Sequence, residues 1–370
     1  MSALEPDQLR QLGVSEDEAR DVARAVESVV AEYPERARRP EEWARMWQRL
    51  SGMLLERGAG FDVCRAVYEL ACKEWDTCHG PPPAWSPSRA SVAVTHVGRF
   101  MEEMGFTEYR DLHAWSTRER SEFWERVVGK LGVVFKMRPQ SMVNLDAGVT
   151  QPEWLPGAAM NIVDSCFGAP ADKTAIVHQD EGEPMRRMTY GDLERLVNRV
   201  ANGLCERGFV AGDAIAIDMA MTAESVAIYL GIIKAGCCVV SIADSFAPEE
   251  IATRLRLSKA KAIFTADYYI RRGKRTEIYS KVKKAGPVPA IVLCCDESEA
   301  DTVELREGDV LWRDFLAQDD VFESVACEPG DHTNILFSSG TTGDPKAIPW
   351  THTTPIKCAM DALFHHNVTE

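Results

Sequence analysis

"DAIAIDMAMTAESVAIYLGIIKAGCCVVSIAD", residues 213–244, changes its texture twice. "DAIAIDMA" reads as a buried strand, "AESVAIYLGIIKAG" as a helix and "CCVVSIA" as a second strand. A strand, a helix of about ten to fifteen residues and another strand form a βαβ unit, and such units build a mostly parallel sheet.

The alternation extends on both sides. "TAIVHQ", from Thr174, reads as a strand, and "MTYGDLERLVNRVANGLCERGF" follows as a helix. There Thr189 and Asp192 have capping-box spacing, and Leu193, Leu196, Val197, Val200 and Leu204 make one apolar stripe. Downstream, "PEEIATRLRLSKA" is a helix opened by proline and "KAIFTAD" a strand. "RTEIYSKVKKAG" and "AIVLCCD" add a helix and a strand, and the acidic "DESEADTVELREGD" reads as a surface loop. Parallel strands flanked by helices are therefore expected from about residue 172, with "NILF" (334–337) an inner strand.

Residues 1 to about 135 read differently, as helices rich in charge. "EEWARMWQRLSGMLLERG" sets Trp43, Met46, Trp47, Leu50, Met53 and Leu54 on one face, and Gly58 ends it. "GPPPAWSPS" is a stiff connector. "SVAVTHVGRFMEEMGF" and "STRERSEFWERVVGKLG" follow as a helical pair, with Ser116 as N-cap candidate and Glu119 three residues on.

The 370 residues are 45% hydrophobic and 27% charged, a globular composition. Lys+Arg of 42 against Asp+Glu of 57 gives −15, which argues against nucleic acid as the main partner. Eleven cysteines without a C-x-x-C framework suggest free thiols in a reducing compartment. The N-terminus lacks the pattern of a secretory signal, no apolar run reaches membrane-span length, and "VTE" is no peroxisomal address.

After "NILF" comes "SSGTTGDPK" (338–346). A turn at the carboxyl end of a parallel strand lies where open α/β sheets bind ligands. Gly340 and Gly343 permit close backbone approach; Ser338, Ser339, Thr341 and Thr342 bring hydroxyls, and Lys346 a positive charge. That set suits polyphosphate oxygens. It is not the G-x-x-x-x-G-K-[ST] loop, because Pro345 precedes the lysine and Ala347 follows it. The plain alternative, for "SSG" alone, is a flexible polar loop. A second cluster, Arg271, Arg272, Lys274 and Arg275 in "TADYYIRRGKR", stands out in an acidic chain; its plain alternative is a solvated helix start. His365–His366 is not a metal site, since adjacent histidines on a helix diverge and no third ligand is near.

"FSSGTTGDPK" resembles the signature loop of the adenylate-forming (AMP-binding) superfamily: acyl-CoA synthetases, adenylation domains and luciferases. That signature usually ends Pro-Lys-Gly; here Ala347 stands at the glycine. "HAWSTRERSEFWERV" (113–127), "WLPGAAMNIVDSCF" (154–167) and "MTYGDLERLVNRVANGLCERGFVAGDAIAI" (188–217) are similar to acetyl-CoA synthetases. The long helical N-terminus, "GPPPAW" and "PKAIPWT" are most similar to the plant peroxisomal acyl-activating enzymes.

The resemblance implies an α/β fold with a helical N-terminal extension (1–109), an acetyl-CoA synthetase-like segment (110–170) and the first part of an AMP-binding-type domain (171–370). It implies a ligase that joins a small carboxylic acid to CoA through an acyl-adenylate, using ATP and Mg²⁺, and a peroxisomal location. Ser338, Ser339, Gly340, Thr341, Thr342, Gly343 and Lys346 fall on the ATP-binding loop. Arg271, Arg272, Gly273 and Lys274 fall on the segment that grips the CoA 3′-phosphate. The family's catalytic residues belong to motifs expected beyond Glu370: an aromatic-Gly-x-Thr-Glu, a Thr-Gly-Asp and a lysine on a mobile domain. The expectation is thus an incomplete chain, inactive alone, whose last helix has no later strand to bury Ile356, Ala359, Met360, Leu363 and Phe364. The alternatives are a CoA-independent adenylating domain, or a non-catalytic remnant acting through its helices.

Overall fold

The computed structural model describes residues 5–34, 39–73, 75–85, 87–338, 343 and 345–369. The chain divides into two compact units, Met1–Tyr109 with Asn367–Glu370, and Arg110–His366.

The first unit is helical: α1 (Pro6–Arg10), α2 (Glu16–Ala31), α3 (Pro40–Glu56), α4 (Phe61–Cys72), α5 (Arg89–Ala93) and α6 (His96–Met104). Ser15 opens α2 by accepting from the Glu18 N–H. The apolar stripe read in α3 is inside: Trp43, Met46, Trp47, Leu50 and Leu54 pack with Val22, Val26 and Val67. The proline-rich connector is held by its carbonyls, which cannot pair within a proline run. Trp47 Nε1 donates to Ala84 O (2.6 Å), Tyr68 Oη to Pro82 O (2.7 Å) and Trp75 Nε1 to Gly80 O (2.7 Å).

The second unit begins with α7 (Tyr109–Arg118) and α8 (Arg120–Lys130). Ser116 is not the N-cap expected: it lies inside α7, and its hydroxyl donates back to His113 O. Two small antiparallel pairs follow, β1 (Val143–Asn144) with β2 (Glu153–Trp154), and β3 (Thr174–His178) with β4 (Arg186–Thr189). "TAIVHQ" is therefore a strand, but outside the main sheet.

That sheet has seven strands: β5 (Ala214–Asp218), β6 (Cys238–Ile242), β7 (Ala262–Ala266), β10 (Ala290–Leu293), β11 (Val310–Leu311), β12 (His332–Phe337) and β13 (Ala347–Thr351). Its order is β11-β10-β7-β5-β6-β12-β13, parallel throughout except for the β12–β13 pair. The antiparallel β13 is absent from the sequence reading, because proline and exposed positions in "AIPWT" hide its strand character. It leaves β12, and so "NILF", as an inner strand.

Helices cover both faces. On one, α9 (Tyr190–Glu206) and α10 (Ala223–Lys234) bury Leu193, Val197, Val200, Ile228 and Ile232 against Ile215, Ile217 and Val239. α9 opens with the capping box read from Thr189 and Asp192. A Cβ on Gly231 would lie 2.6 Å from Val200, so glycine sets the close approach of these helices. On the other face, α11 (Pro248–Ser258) and α12 (Tyr279–Ala285) pack Ile251, Leu255 and Val282 against Ala216, Val240, Ile263 and Val292. Within "DESEADTVELREGD" a short 3₁₀ turn forms at Glu297–Thr302, and β11 and α13 (Trp312–Phe315) follow. α14 (Thr354–Phe364) corrects one expectation: Ile356, Met360 and Phe364 are buried within the chain, while Ala359 is exposed. All eleven cysteines are free thiols. Among the described residues, no helix is long and apolar enough to cross a membrane.

Candidate functional site

The connection from β5 runs through α10 on one face, and that from β7 leads to α12 on the other. Adjacent strands whose connections leave on opposite sides open a crevice at their carboxyl ends, the usual ligand position in α/β sheets. Both clusters singled out in the sequence emerge at this edge.

The basic cluster is not a helix start. The chain leaves the sheet at Asp267, whose Oδ1 accepts from the N–H groups of Tyr268 (2.7 Å) and Cys295 (3.0 Å). It returns at Ile278, whose N–H donates to Asp267 O at 3.1 Å. Between them stands a hairpin, β8 (Tyr268–Arg271) with β9 (Lys274–Glu277), registered so that Arg271 faces Lys274. The two-residue turn is Arg272–Gly273, with φ of 53° and 71°. Positive φ at both positions is the geometry that joins right-twisted strands, and glycine supplies one of them without cost.

Arg275 is taken up by the protein: its guanidinium lies 3.6 Å over the Tyr268 ring, 2.7 Å from Glu277 and 3.7 Å from Glu299. Arg271, Arg272 and Lys274 are exposed, and among the described residues none makes an ion pair. The turn amides, by contrast, are engaged by the Glu181 carboxylate.

The second cluster bridges β12 and β13. Ser338 N–H donates to Lys346 O at 3.0 Å, and Lys346 N–H to Ser338 Oγ at 3.4 Å. The pairing of Phe337 with Ala347 continues into this closure. Ser338 and Lys346 thus meet at the neck of the loop, and the Lys346 side chain is exposed. Gly343 has φ of 101°. Ser339, Gly340, Thr341 and Thr342 lie outside the described residues. Exposed cations at this edge, without ion pairs among the described residues, fit anionic oxygens.

Two further groups at the same edge escaped the sequence reading. Asp218 ends β5 beside Thr265 of β7; it is fully buried, and neither carboxylate oxygen has a hydrogen-bond partner among the described residues. Burial pushes its carboxyl up to about 7; Lys281 opposes that rise and Asp244 adds to it. Its one sequence signal was a lone acid closing the apolar run "AIAID". The Arg254 guanidinium is buried 3.8 Å from the Phe246 ring centre and 5.5 Å from that of Phe337, and Nε has no partner among the described residues. Phe337 immediately precedes the loop. Among the described residues one trio of possible metal ligands lies close together, Asp76, Cys78 and His79, exposed in the helical unit.

Phosphate-suited donors thus stand at the carboxyl edge of a parallel sheet, the usual ligand position of such folds. The sequence profile described as AMP-binding enzyme matches residues 164–369, and the chain belongs to this family. It is 40% identical over 332 residues to a probable peroxisomal acyl-activating enzyme 18 of Arabidopsis thaliana, covering 82% of this chain and 45% of that protein. It is 37% identical over 387 positions to hexanoyl-CoA synthase of Cannabis sativa, covering 96% of this chain and 52% of that one. Its fold is shared with acetoacetyl-CoA synthetase from Streptomyces lividans: TM-score 0.69, 23% identity, 76% of this chain and 45% of that chain. The chain spans about half the length of the curated relatives it matches.

Proposed function

We propose that this chain supplies the phosphate loop and the CoA clamp of an acyl-CoA synthetase: a carboxylate attacks the ATP α-phosphorus, and the CoA thiol then displaces AMP. The observation that carries this reading is the closure of Ser338 on Lys346, which fixes the cationic residue at the neck of a hydroxyl-rich loop at the carboxyl edge. Lys346 and the backbone of residues 338–343 would hold the β- and γ-phosphates, where Mg²⁺, when bound, adds charge neutralisation. Arg271 and Lys274, with Arg272 and Gly273 between them, would hold the CoA 3′-phosphate; a guanidinium offers phosphate a planar donor fork. The names of the relatives favour a small or medium-chain carboxylic acid as substrate and a peroxisomal setting. The helical unit would be an N-terminal extension, residues 110–170 an acetyl-CoA synthetase-like segment and residues 171–370 part of the AMP-binding domain.

Removing one charge-assisted contact costs roughly 1.5–3 kcal/mol. In the enzyme carrying these residues, Lys346→Ala should therefore slow ATP–pyrophosphate exchange about ten- to a hundred-fold. An unchanged rate returns the loop to a surface turn. Arg271→Ala with Lys274→Ala should raise KM for CoA and spare pyrophosphate exchange. Equal use of CoA and dephospho-CoA by the parent would favour CoA-independent adenylation instead.

A further inference from the structure

The two central N–H groups of a two-residue hairpin turn have no partner in the strand ladder. In this hairpin one carboxylate takes both: Arg272 N–H donates to Glu181 Oε2 and Gly273 N–H to Glu181 Oε1, each at 2.6 Å. Both are charge-assisted, the stronger class of hydrogen bond. They bridge ninety residues of sequence, from the β3–β4 connection to the tip of the β8–β9 hairpin.

The tip needs such a brace for two reasons. Arg272 sits at φ 53°, left-handed backbone that a side chain larger than Asn or Asp seldom adopts. Arg271 and Lys274 stand directly opposite each other, and facing like charges push a strand pair apart. Glu181 is itself held, in a turn closed by Glu183 N–H on Asp180 O (3.0 Å), with Gly182 at φ 88°. Gln179 Nε2 donates to Glu183 O (2.8 Å), and Arg186 lies 3.6 Å from Asp180. Among the described residues the carboxylate uses backbone donors only; the Arg271 and Lys274 side chains keep their charge for an external anion.

We propose that Glu181 is a positioning residue: bound to both turn amides, it holds Arg271 and Lys274 at the spacing that receives the 3′-phosphate of CoA. This rests on the CoA reading given above. The test is equilibrium binding of CoA and of dephospho-CoA to the chain, in its natural form and as Glu181→Ala and Glu181→Gln. Amide hydrogen exchange at Arg272 and Gly273 and the thermal midpoint are recorded for each.

Glu181→Ala should bind CoA about tenfold more weakly, the scale of a lost charge-assisted bond, and dephospho-CoA within about twofold of the parent. Glu181→Gln keeps one acceptor oxygen and should fall between. Exchange at both amides should quicken in the same order. If the parent prefers CoA and Glu181→Ala keeps that preference, the CoA site stands and the role of Glu181 is overturned. If the preference sharpens in Glu181→Ala, the carboxylate competes with phosphate and the proposal is wrong in sign. A parent that binds both ligands alike defeats the CoA reading itself, and this inference with it.

Discussion

Asp309, at the amino edge of the central sheet, and Asp218, at its carboxyl edge, are both buried aspartates with opposite surroundings. Asp309 accepts from Tyr279 Oη (2.6 Å), the Ala290 N–H (2.8 Å), and Arg306 Nε (2.9 Å) and Nη2 (3.2 Å). Asp218 accepts from no group among the described residues. The amino edge is closed elsewhere too: Asp213, just before β5, takes the Val210 N–H at 3.1 Å and pairs with Lys261 at 2.5 Å. At the carboxyl edge stand Arg254 Nε and the cations of the hairpin, which have no hydrogen-bond or ion-pair partner, respectively, among the described residues. Unmet polar groups cost stability. Among the described residues they collect on one edge, so stability is given up at the carboxyl edge and kept at the amino edge.

The hardest blow to the amino edge should be Asp309→Ala. It removes a buried carboxylate that serves a half-buried arginine, a tyrosine hydroxyl and a backbone N–H together, and breaking a buried pair by removing one partner costs about 3–5 kcal/mol. Denaturant unfolding should show that loss; a change no larger than a surface substitution would erase the contrast between the edges.

Asp218→Asn should act in the other direction, and only at the right pH. A carboxyl raised to about 7 in the folded state binds its proton more tightly there than in the unfolded chain. Stability therefore falls as pH climbs from the usual aspartate range to about 7, then levels off. The asparagine variant should gain up to about 4 kcal/mol at pH 8 and nothing near pH 4. A gain of equal size at both values would mean that charge is not the cause.

His352 gives the amino-edge counterpart. Its buried Nδ1 accepts the Ile162 N–H at 3.1 Å, and burial lowers its pKa to about 4. A histidine kept neutral contributes stability that is lost as pH drops from its ordinary range toward 4. His352→Gln keeps an acceptor but cannot titrate, so its unfolding free energy should lose the slope between about pH 6.5 and 4. A parent already flat across that window would show the ring to be solvated.

The smallest effect should come from Arg271→Ala with Lys274→Ala. Exposed cations without ion pairs support little, and relief of their mutual repulsion offsets what packing is lost, so Tm should move by less than about 2 °C. A large drop would make the hairpin cations structural and weaken their assignment to a ligand.

The sequence by itself determined the elements whose cause is local. Period-3.6 stripes gave α3 and α9, the Thr189–Asp192 box opened α9, and apolar runs gave β5, β6, β7, β10 and the inner strand β12. It also marked both anion-suited clusters, because glycine, hydroxyl and basic residues are uncommon together beside a buried strand. Ser116 shows the limit of such signals, since its capping spacing was overridden by continuation of α7. Only the tertiary structure decided that "TAIVHQ" leaves the main sheet, that "AIPWT" joins it, and that "RRGK" is a hairpin tip braced by Glu181. Those facts depend on partners outside each segment, from about ten to about ninety residues away, and such pairing leaves no periodicity in the segment itself. The missing partners of Asp218 are of the same kind: a residue's letter fixes its chemistry, but which groups surround it is settled only when the chain closes on itself.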